Sequence, residues 1–203
     1  MTDHAPHINI EGQGVLLGPF EREQIPLYTR WFNNFETLRT QGDPVPKPMS
    51  LEITTSWYES YVAGNSETTW FTVYERNSRA PIGWTKLKDI DYRNRSAEFA
   101  VMIGEPSGRG KGYGTETARI MLDYGFTALG LHNIRLYYFE FNRAGKRAYE
   151  KAGFLEYARR RESHLMGGKL WDTVYMECLS TEFESPLLGK IFTPDVPRNP
   201  EGD

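Results

Sequence analysis

The sequence predicts one α/β domain in which helices alternate with apolar strands. Two short strands, Trp70–Tyr74 and Ile82–Leu87, are separated by the turn-forming run ERNSRAP, which indicates a hairpin. A third apolar strand, Glu98–Ile103, runs directly into a glycine-rich turn and a helix. A fourth, Ile134–Phe141, is apolar or aromatic on both faces, as is typical of a central strand covered on both sides.

Length and composition indicate a single folded unit. Of the 203 residues, 39% are apolar and 14% aromatic, which is enough to bury a substantial core. We expect a flexible N-terminus over residues 1–12, the folded domain over 13–180 and a proline-rich tail over 181–203. The tail holds four of the twelve prolines and an apolar foothold formed by Leu187, Leu188, Ile191 and Phe192.

Charge and cysteine content bound the partners and the compartment. The formal net charge is only -3, so nothing in the overall charge favours nucleic acid or an anionic membrane as a partner. The first residues lack the basic and apolar regions of a signal peptide, and no segment is apolar enough to span a membrane. The single cysteine, Cys178, lies in a strand-like run and fits a reducing compartment. We therefore expect a cytoplasmic protein.

The N-terminal third begins with a short strand, Val15–Leu17, followed by helical spacing from Glu23 to Phe35. The run QGDPVPKP comes next, and its prolines favour an extended loop. Ser50 is the predicted N-cap of a second helix that continues to Tyr61. Most of the aromatic residues in these two helices are expected in the core, with one or two facing a substrate.

The C-terminal half continues the alternation. Apolar residues keep helical spacing from Thr115 to Leu129, and Gly130 stands where a left-handed C-cap belongs. Asn142 is the predicted N-cap of a further helix, which carries a stripe of alanines and ends at Gly153. Leu170–Leu179 is the last predicted strand.

The glycine-rich turn RGKGYGT, residues 109–115, is the main chemical signal. A strand, a glycine turn and a helix together aim unpaired backbone N–H groups at one point, where phosphate binds well. A Walker loop is excluded because Gly112, and not Ser or Thr, follows Lys111. A dinucleotide fingerprint is excluded because Thr115 follows Gly112 by three residues. The spacing alone leaves a purely structural turn open.

Two longer stretches carry a family resemblance. RSAEFAVMIGEPSGRGKGYGTETARIMLDYGF (residues 95–126) and NIRLYYFEFNRAGKRAYEKAGF (133–154) resemble the GNAT acetyltransferases, especially the spermidine and ribosomal-protein N-terminal acetyltransferases. The resemblance implies a mixed, mostly antiparallel sheet with helices on both faces, splayed at the Glu98–Ile103 strand to hold acetyl-CoA. The EPSG stretch is one residue longer than in the spermidine enzymes.

The resemblance also implies the site residues. The backbone of Val101, Met102 and Ile103 pairs with the pantetheine arm, and Tyr149 protonates the departing CoA thiolate. Asn142 and Lys151 lie near the cofactor. The pyrophosphate is held by the amides of the glycine loop, namely Arg109, Gly110, Lys111, Gly112, Tyr113, Gly114 and Thr115.

The chemistry of amine acetylation requires a base as well. An alkyl amine has a pKa of about 10.4, so its proton must be removed before attack at neutral pH. Glu98, at the head of the cofactor strand, is the best-placed carboxylate, and the alternative is an edge glutamate held by Arg93 or Arg95. For Tyr149 the alternative is an aromatic residue that only packs against the sheet.

Other charged residues suggest no further site. Arg159, Arg160 and Arg161 are interpreted as a solvated strand edge, with contact to an acidic acceptor or RNA as the alternative. Asp172 is interpreted as a residue that fixes the final hairpin. His164 and Asp172 have no neighbours at metal-ligand spacing, so we expect no metal.

The sequence thus predicts an N-acetyltransferase that uses acetyl-CoA and direct attack by a primary amine. The acceptor is left open among a protein or peptide N-terminus, a polyamine and an amine-bearing small molecule. Two rival interpretations are a CoA-binding regulatory module without turnover and a nucleotide-binding domain. A homodimer is common among proteins that the chain resembles.

Overall fold

A computed structural model of the chain describes residues 5–41, 47–63 and 66–195. The strands are β1 (Ile10–Glu11), β2 (Val15–Pro19), β3 (Thr69–Glu75), β4 (Pro81–Asp91), β5 (Ser96–Ile103), β6 (Asn133–Phe139), β7 (Leu155–Met166) and β8 (Lys169–Leu179). The helices are α1 (Ile25–Phe32), α2 (Phe35–Leu38), α3 (Leu51–Tyr61), α4 (Tyr113–Asp123) and α5 (Arg143–Ala152). Within the described residues the strands form one eight-stranded sheet in the order β1-β2-β3-β4-β5-β6-β8-β7.

The sheet is antiparallel except between β5 and β6, which α4 connects by a crossover. Those two strands pair only over three residues each, Ser96–Glu98 with Asn133–Arg135. Both strands continue further, to Ile103 and Phe139. The sheet therefore splits immediately beyond Glu98, which confirms the predicted mixed sheet splayed at this strand.

Each face of the sheet has its own core. On one face α4 and α5 pack against the strands, and Ala118, Met121 and Leu122 of α4 are fully buried. On the other face α1 and α3 cover an aromatic cluster, whose buried members are Phe20, Tyr28, Trp31, Trp70, Trp84 and Met102. Trp57 and Tyr58 of α3 pack against that cluster, as expected for the early aromatic residues, whereas Tyr61 is exposed.

The helix after the glycine loop starts two residues earlier than predicted, at Tyr113, and changes its winding at its end. Residues Tyr124–Ala128 form a π-helical turn, a rare conformation that occurs mostly as single turns within α-helices. Gly125 lies in this turn, and a Cβ there would come within 2.4 Å of the Ile134 side chain. Gly130 has a φ of 66°, which confirms the predicted left-handed residue.

The strand β7 had no predicted bounds, although Arg159–Arg161 were expected at a strand edge and Asp172 in a final hairpin. All of its first eight residues are exposed, so its sequence lacks the alternation that marks a half-buried strand. It is an edge strand, interrupted by two irregularities and carrying Arg159–Arg161, features that discourage pairing with other chains. The Asp172 carboxylate accepts a hydrogen bond from the Glu162 amide at 3.0 Å, so it does fix the final hairpin.

The folded domain extends beyond the predicted boundaries at residues 13 and 180. Ile10 pairs with Leu17 and is buried, so residues of the segment expected to be flexible already belong to the sheet. In the tail, Leu188 is buried, while Ile191 and Phe192 are 71% and 55% exposed. The apolar foothold is therefore confined to its first two residues. No helix in the described ranges is long and apolar enough to cross a bilayer.

A buried carboxylate anchors the tail. Asp123, at the end of α4, is 0% exposed. One of its oxygens accepts hydrogen bonds from the hydroxyls of Thr127 (2.8 Å) and Ser185 (2.5 Å). The other accepts from the amides of Leu187 and Leu188, each at 2.9 Å. Three of these bonds fasten the tail to the end of α4, and the fourth, from Thr127, joins Asp123 to the π-helical turn.

Candidate active site

The split between β5 and β6 is bordered by an unpaired strand edge. Beyond Glu98, the residues of β5 keep their antiparallel pairing with β4, where Val101 faces Thr85 and Met102 faces Trp84. On the opposite edge, the described residues of β6 no longer pair with them. The backbone of Val101, Met102 and Ile103 therefore borders the opening, in the position where an extended ligand can add as a strand.

The glycine loop is open, and two of its glycines have a left-handed backbone conformation. Gly110 and Gly112 have φ values of 76° and 85°, a left-handed conformation that favours glycine. A Cβ placed on Gly110, Gly112 or Gly114 would have no neighbour within 4 Å, so space for a ligand adjoins the loop. The first amides of α4 have no partner within the helix and lie at the positive end of its dipole. An anion such as a pyrophosphate fits this cradle.

Arg109 differs from the other loop residues. Its amide already donates to the Pro106 carbonyl at 3.2 Å, so it is engaged in a turn. Its guanidinium donates to the Thr37 hydroxyl at 2.5 Å and lies 3.9 Å from the Glu36 carboxylate, both on α2. The assignment of Arg109 to the pyrophosphate stays a prediction; in this structure its amide and its side chain bind other groups.

Glu75, at the end of β3, binds the side chains of Lys111 and Tyr113 in the glycine loop. The Tyr113 hydroxyl donates to Glu75 at 2.7 Å, and the Lys111 ammonium lies 3.7 Å from the same oxygen. Hydrogen bonds from Ser78 and Tyr113, together with the Lys111 charge, hold the pKa of Glu75 below its usual range. Glu75 thus stays ionised and binds the side chains of both Lys111 and Tyr113.

Tyr149 spans the split on the side of α5. Its ring packs edge-on against Phe99 of β5 and at an angle against Tyr138 of β6, with centroid distances of 6.3 and 6.1 Å. Phe99 directly follows Glu98, the last paired residue of β5, and Tyr138 lies three residues beyond Arg135, the last paired residue of β6. Burial raises the pKa of Tyr149 to about 12, so the phenol stays protonated at neutral pH. A protonated donor at this point suits an acid that acts on a group held in the split.

Glu98 lies at the apex of the split, on the other face of the sheet. Strand alternation places it on the side of Ala100 and Met102, which pack with the aromatic cluster. Its carboxylate lies 2.8 Å from the Lys88 ammonium and 3.6 Å from the Arg135 guanidinium. Although burial opposes the charge of Lys88, its contacts with Glu98 outweigh that effect and raise the pKa of Lys88.

These two cations were missed by the sequence, which suggested Arg93 or Arg95 as partners of Glu98. Arg95 instead donates to the Gly130 carbonyl at 2.6 Å. The partners come from the register of the sheet, in which Glu98 faces Lys88 on β4 and Arg135 on β6. Only the strand pairing, and no local motif, could have identified them.

Asn142 and Lys151 lie at opposite ends of α5. The Asn142 side chain accepts from the Gly145 amide at 2.9 Å, which confirms its predicted N-cap role. The Lys151 carbonyl accepts from the Arg119 guanidinium at 2.6 Å, and its side chain is exposed. With a rise of 1.5 Å per residue, the two positions are separated by about 13 Å. In the described part of the chain, no group of three or more His, Cys, Asp or Glu residues is arranged to hold a metal ion.

A glycine substitution tests the loop. Gly112→Ala is expected to weaken CoA binding about 10-fold, because a left-handed alanine is strained by roughly 1–2 kcal/mol and the loop relaxes away from its cradle shape. Isothermal titration with CoA measures the effect. Gly130→Ala is the matched control, since Gly130 has a similar φ of 66° and open surroundings but lies at the far end of the helix. Equal loss of affinity in both variants would contradict a ligand role for the loop.

Comparison with known proteins places the chain in a family. The acetyltransferase (GNAT) domain matches residues 15–155. A spermidine N(1)-acetyltransferase from Vibrio cholerae is 32% identical over 126 residues, which cover 62% of this chain and 71% of that protein. Human alpha/beta-tubulin-N-acetyltransferase 9 is 30% identical over 155 residues, which cover 72% of this chain and 75% of that protein.

The fold is also similar to a solved structure. Spermidine N-acetyltransferase from Vibrio cholerae, in complex with CoA and spermine, superposes with a TM-score of 0.77 at 27% sequence identity. The match covers 84% of this chain and 98% of that chain. The resemblance found in the two motifs is thereby confirmed. The chain belongs to the GNAT acetyltransferases, acyltransferase enzymes that move an acetyl group to an amine.

Proposed function

We propose that the chain transfers the acetyl group of acetyl-CoA to a primary amine by direct attack, within the split between β5 and β6. The observation that carries this proposal is the position of Tyr149, whose ring contacts Phe99 of β5 and Tyr138 of β6, both beyond the last paired residues of the two strands. The glycine loop supports it from the open end of the split, since its cradle is free of side chains. The rival regulatory module would have no use for a protonated phenol at that place.

The residues that would hold acetyl-CoA form a continuous path. The amides of residues 110–115 bind the pyrophosphate, and the free edge of Val101–Ile103 pairs with the pantetheine arm. We assign Asn142 and Lys151, at the two ends of α5, to the same site because the family resemblance implies positions near the cofactor for both. The path ends at the apex of the split, between Glu98 and Tyr149. When bound there, acetyl-CoA supplies an activated thioester.

Tyr149 and Glu98 act from opposite faces of the sheet. In the reaction a C–N bond forms and a C–S bond breaks, the amine loses a proton and the sulfur gains one. Tyr149 donates a hydrogen bond and then its proton to the sulfur, which limits the charge that develops there. Glu98 takes the amine proton, directly or through a water, while Lys88 and Arg135 hold its carboxylate in place.

The role of Glu98 predicts a specific loss. Glu98→Gln keeps the shape of the side chain but cannot accept the amine proton, so kcat should fall about 100-fold while the KM for acetyl-CoA changes little. Steady-state kinetics with the best acceptor measures both. Asp91→Asn serves as the control, because Asp91 lies on the same hairpin and binds the Asn94 amide in its turn. An unchanged kcat with reduced thermal stability would reassign Glu98 to a structural ion pair.

The acceptor class is the finer question. The relatives named above act on spermidine and on tubulin, so polyamines and protein amines are the two leading classes. The acceptor approaches the face covered by α1 and α3, because Glu98 points to that side. A homodimer and a cytoplasmic location stay predictions, which sedimentation velocity and fractionation would test.

Release of free thiol from acetyl-CoA tests the proposed function. The purified protein is incubated with spermidine, with short peptides bearing free Ala or Ser N-termini, and with aminoglycosides. Thiol release with one class is the expected result and names the acceptor. Binding of CoA without thiol release from any acceptor would favour the regulatory alternative. Protection from heat by ATP, but not by acetyl-CoA, would favour a nucleotide-binding domain.

A further inference from the structure

The segment from Gly104 to Arg109, between β5 and the glycine cradle, is fastened to the acceptor-side helices at two points. The first is Arg109, whose guanidinium donates to the hydroxyl of Thr37. Thr37 lies on α2 and is only 5% exposed, so the acceptor of this hydrogen bond is buried. A bond between a charged donor and a buried partner is stronger than an exposed ion pair.

The second fastening is at Glu105. Its carboxylate accepts from the Trp31 indole N–H at 2.8 Å and pairs with Arg30, both on α1. Gly104 allows this contact, because a Cβ there would come within 2.4 Å of the Trp31 ring. The strand end and α1 are therefore in direct van der Waals contact. The start of the cofactor loop and the helices α1 and α2 behave as one packed unit.

Two hydrogen bonds connect the residues that precede α2 and α3. The Asn33 side chain donates to the Met49 carbonyl at 2.7 Å and accepts from the Met49 amide at 3.0 Å. These bonds join Asn33, just before α2, to Met49, just before α3. The bond from Arg109 to Thr37 is a direct link from α2 to the cofactor loop. Arg109 thus joins α2 to the cofactor loop, in addition to the bond by which the Asn34 amide donates to the Trp31 carbonyl of α1.

We propose that Arg109 is a positioning residue that couples the cofactor loop to α2, so that cofactor binding orders the acceptor side. This inference rests on the proposed function, since it takes the loop to be the pyrophosphate site. A ligand on the amides of residues 110–115 restricts a loop that owes its freedom to Gly110 and Gly112. A restricted loop also restricts the backbone of Arg109. The Arg109 guanidinium then holds Thr37, and with it α2, in one position.

The proposed coupling links the affinity for the cofactor to the affinity for the acceptor. If cofactor binding orders α2, it raises the affinity for an acceptor that contacts α1 and α2. By thermodynamic linkage, that acceptor raises the affinity for the cofactor by the same factor. Couplings of this kind typically amount to about 5-fold to 150-fold in affinity. Acetyl-CoA and the acceptor would therefore each bind more tightly when the other is bound.

Hydrogen exchange with CoA alone tests the coupling without knowledge of the acceptor. In the wild-type protein, saturating CoA should slow exchange at least 5-fold in the amides of residues 34–41, several of which are hydrogen-bonded within α2. Thr37→Val removes the hydroxyl that Arg109 binds and should abolish this slowing, while CoA affinity stays within about 3-fold. Thr37→Ser keeps a hydroxyl and should preserve the response. Thr55→Val, on the exposed side of α3, is the control.

Each outcome has a distinct meaning. Slowing in the wild type and in Thr37→Ser, lost in Thr37→Val, would support the coupling. Normal CoA binding without any response in residues 34–41 would overturn it and leave the proposed function intact. A loss of CoA affinity of 10-fold or more in Arg109→Met, with the response retained in Thr37→Val, would make Arg109 a phosphate ligand instead. Failure of the wild type to bind CoA would overturn both proposals.

Discussion

Replacing Tyr149 by Phe should lower kcat by about 100-fold or more, because the variant cannot protonate the departing sulfur. The ring itself packs against Phe99 and Tyr138, and Phe preserves these contacts. The KM for acetyl-CoA and the thermal stability should therefore change little. Steady-state thiol release and calorimetric titration with CoA measure the two effects separately.

Tyr138→Phe is the matched control for this experiment. Tyr138 belongs to the same aromatic group but is 3% exposed and lies on β6. Its hydroxyl has no part in the proposed reaction, so its removal should leave kcat within about 3-fold, as expected of a variant that makes no transition-state contact. An equal loss of kcat and of CoA affinity in Tyr149→Phe would remove Tyr149 from the role of acid.

The pKa of Tyr149 carries a pH dependence with a definite sign. An ordinary tyrosine is half ionised near pH 10, and an ionised phenol cannot donate a proton. Burial raises the pKa of Tyr149 to about 12, so its proton should be retained through pH 10. The acid function should thus persist from neutral pH to about pH 11 and fail only above that. A fall in kcat with a midpoint at or below pH 10 would contradict this environment for Tyr149.

Replacing Asp123 by Ala should be the most damaging change to stability. It removes one buried carboxylate that accepts four hydrogen bonds and leaves the Ser185 hydroxyl and two tail amides without their acceptor. We expect a loss of about 3–5 kcal/mol in the free energy of unfolding, as for other broken buried networks of charged groups. For a chain of this size, that corresponds to roughly 6–20 °C in Tm.

Urea denaturation of the wild type, Asp123→Ala and Ser185→Ala tests this expectation. Ser185→Ala deletes only one of the four bonds and should cost about 1 kcal/mol. The comparison shows whether the carboxylate organises the tail as a unit. A stability of Asp123→Ala within about 1 kcal/mol of wild type would show that the tail does not depend on this anchor.

Local signals in the sequence predicted those features that local physics determines. Ser50 and Asn142 cap their helices because their side chains accept from amides three residues on. Gly130 and Gly153 end their helices because both adopt positive φ, which costs glycine little. The strand–glycine–helix unit was predicted for the same reason, and the family resemblance supplied the split that it adjoins.

Features that depend on distant residues were not predicted. The strand β7 is exposed on both faces, so its order comes from pairing with β8 and not from its own pattern. Lys88 and Arg135 meet Glu98 through the register of three strands. Arg109 was assigned to phosphate by its motif, yet its guanidinium finds Thr37 at a separation of 72 residues. Such partners follow from the packing of the whole chain.

The central claim is that the split between β5 and β6 holds acetyl-CoA with its sulfur beneath Tyr149. A crystal structure of the protein with CoA tests it most directly, through the distance from the CoA sulfur to the Tyr149 hydroxyl. The account predicts a distance of about 3.5 Å or less, with the pyrophosphate on the amides of residues 110–115. CoA bound outside the split, or a Tyr149 hydroxyl directed away from the sulfur, would contradict it.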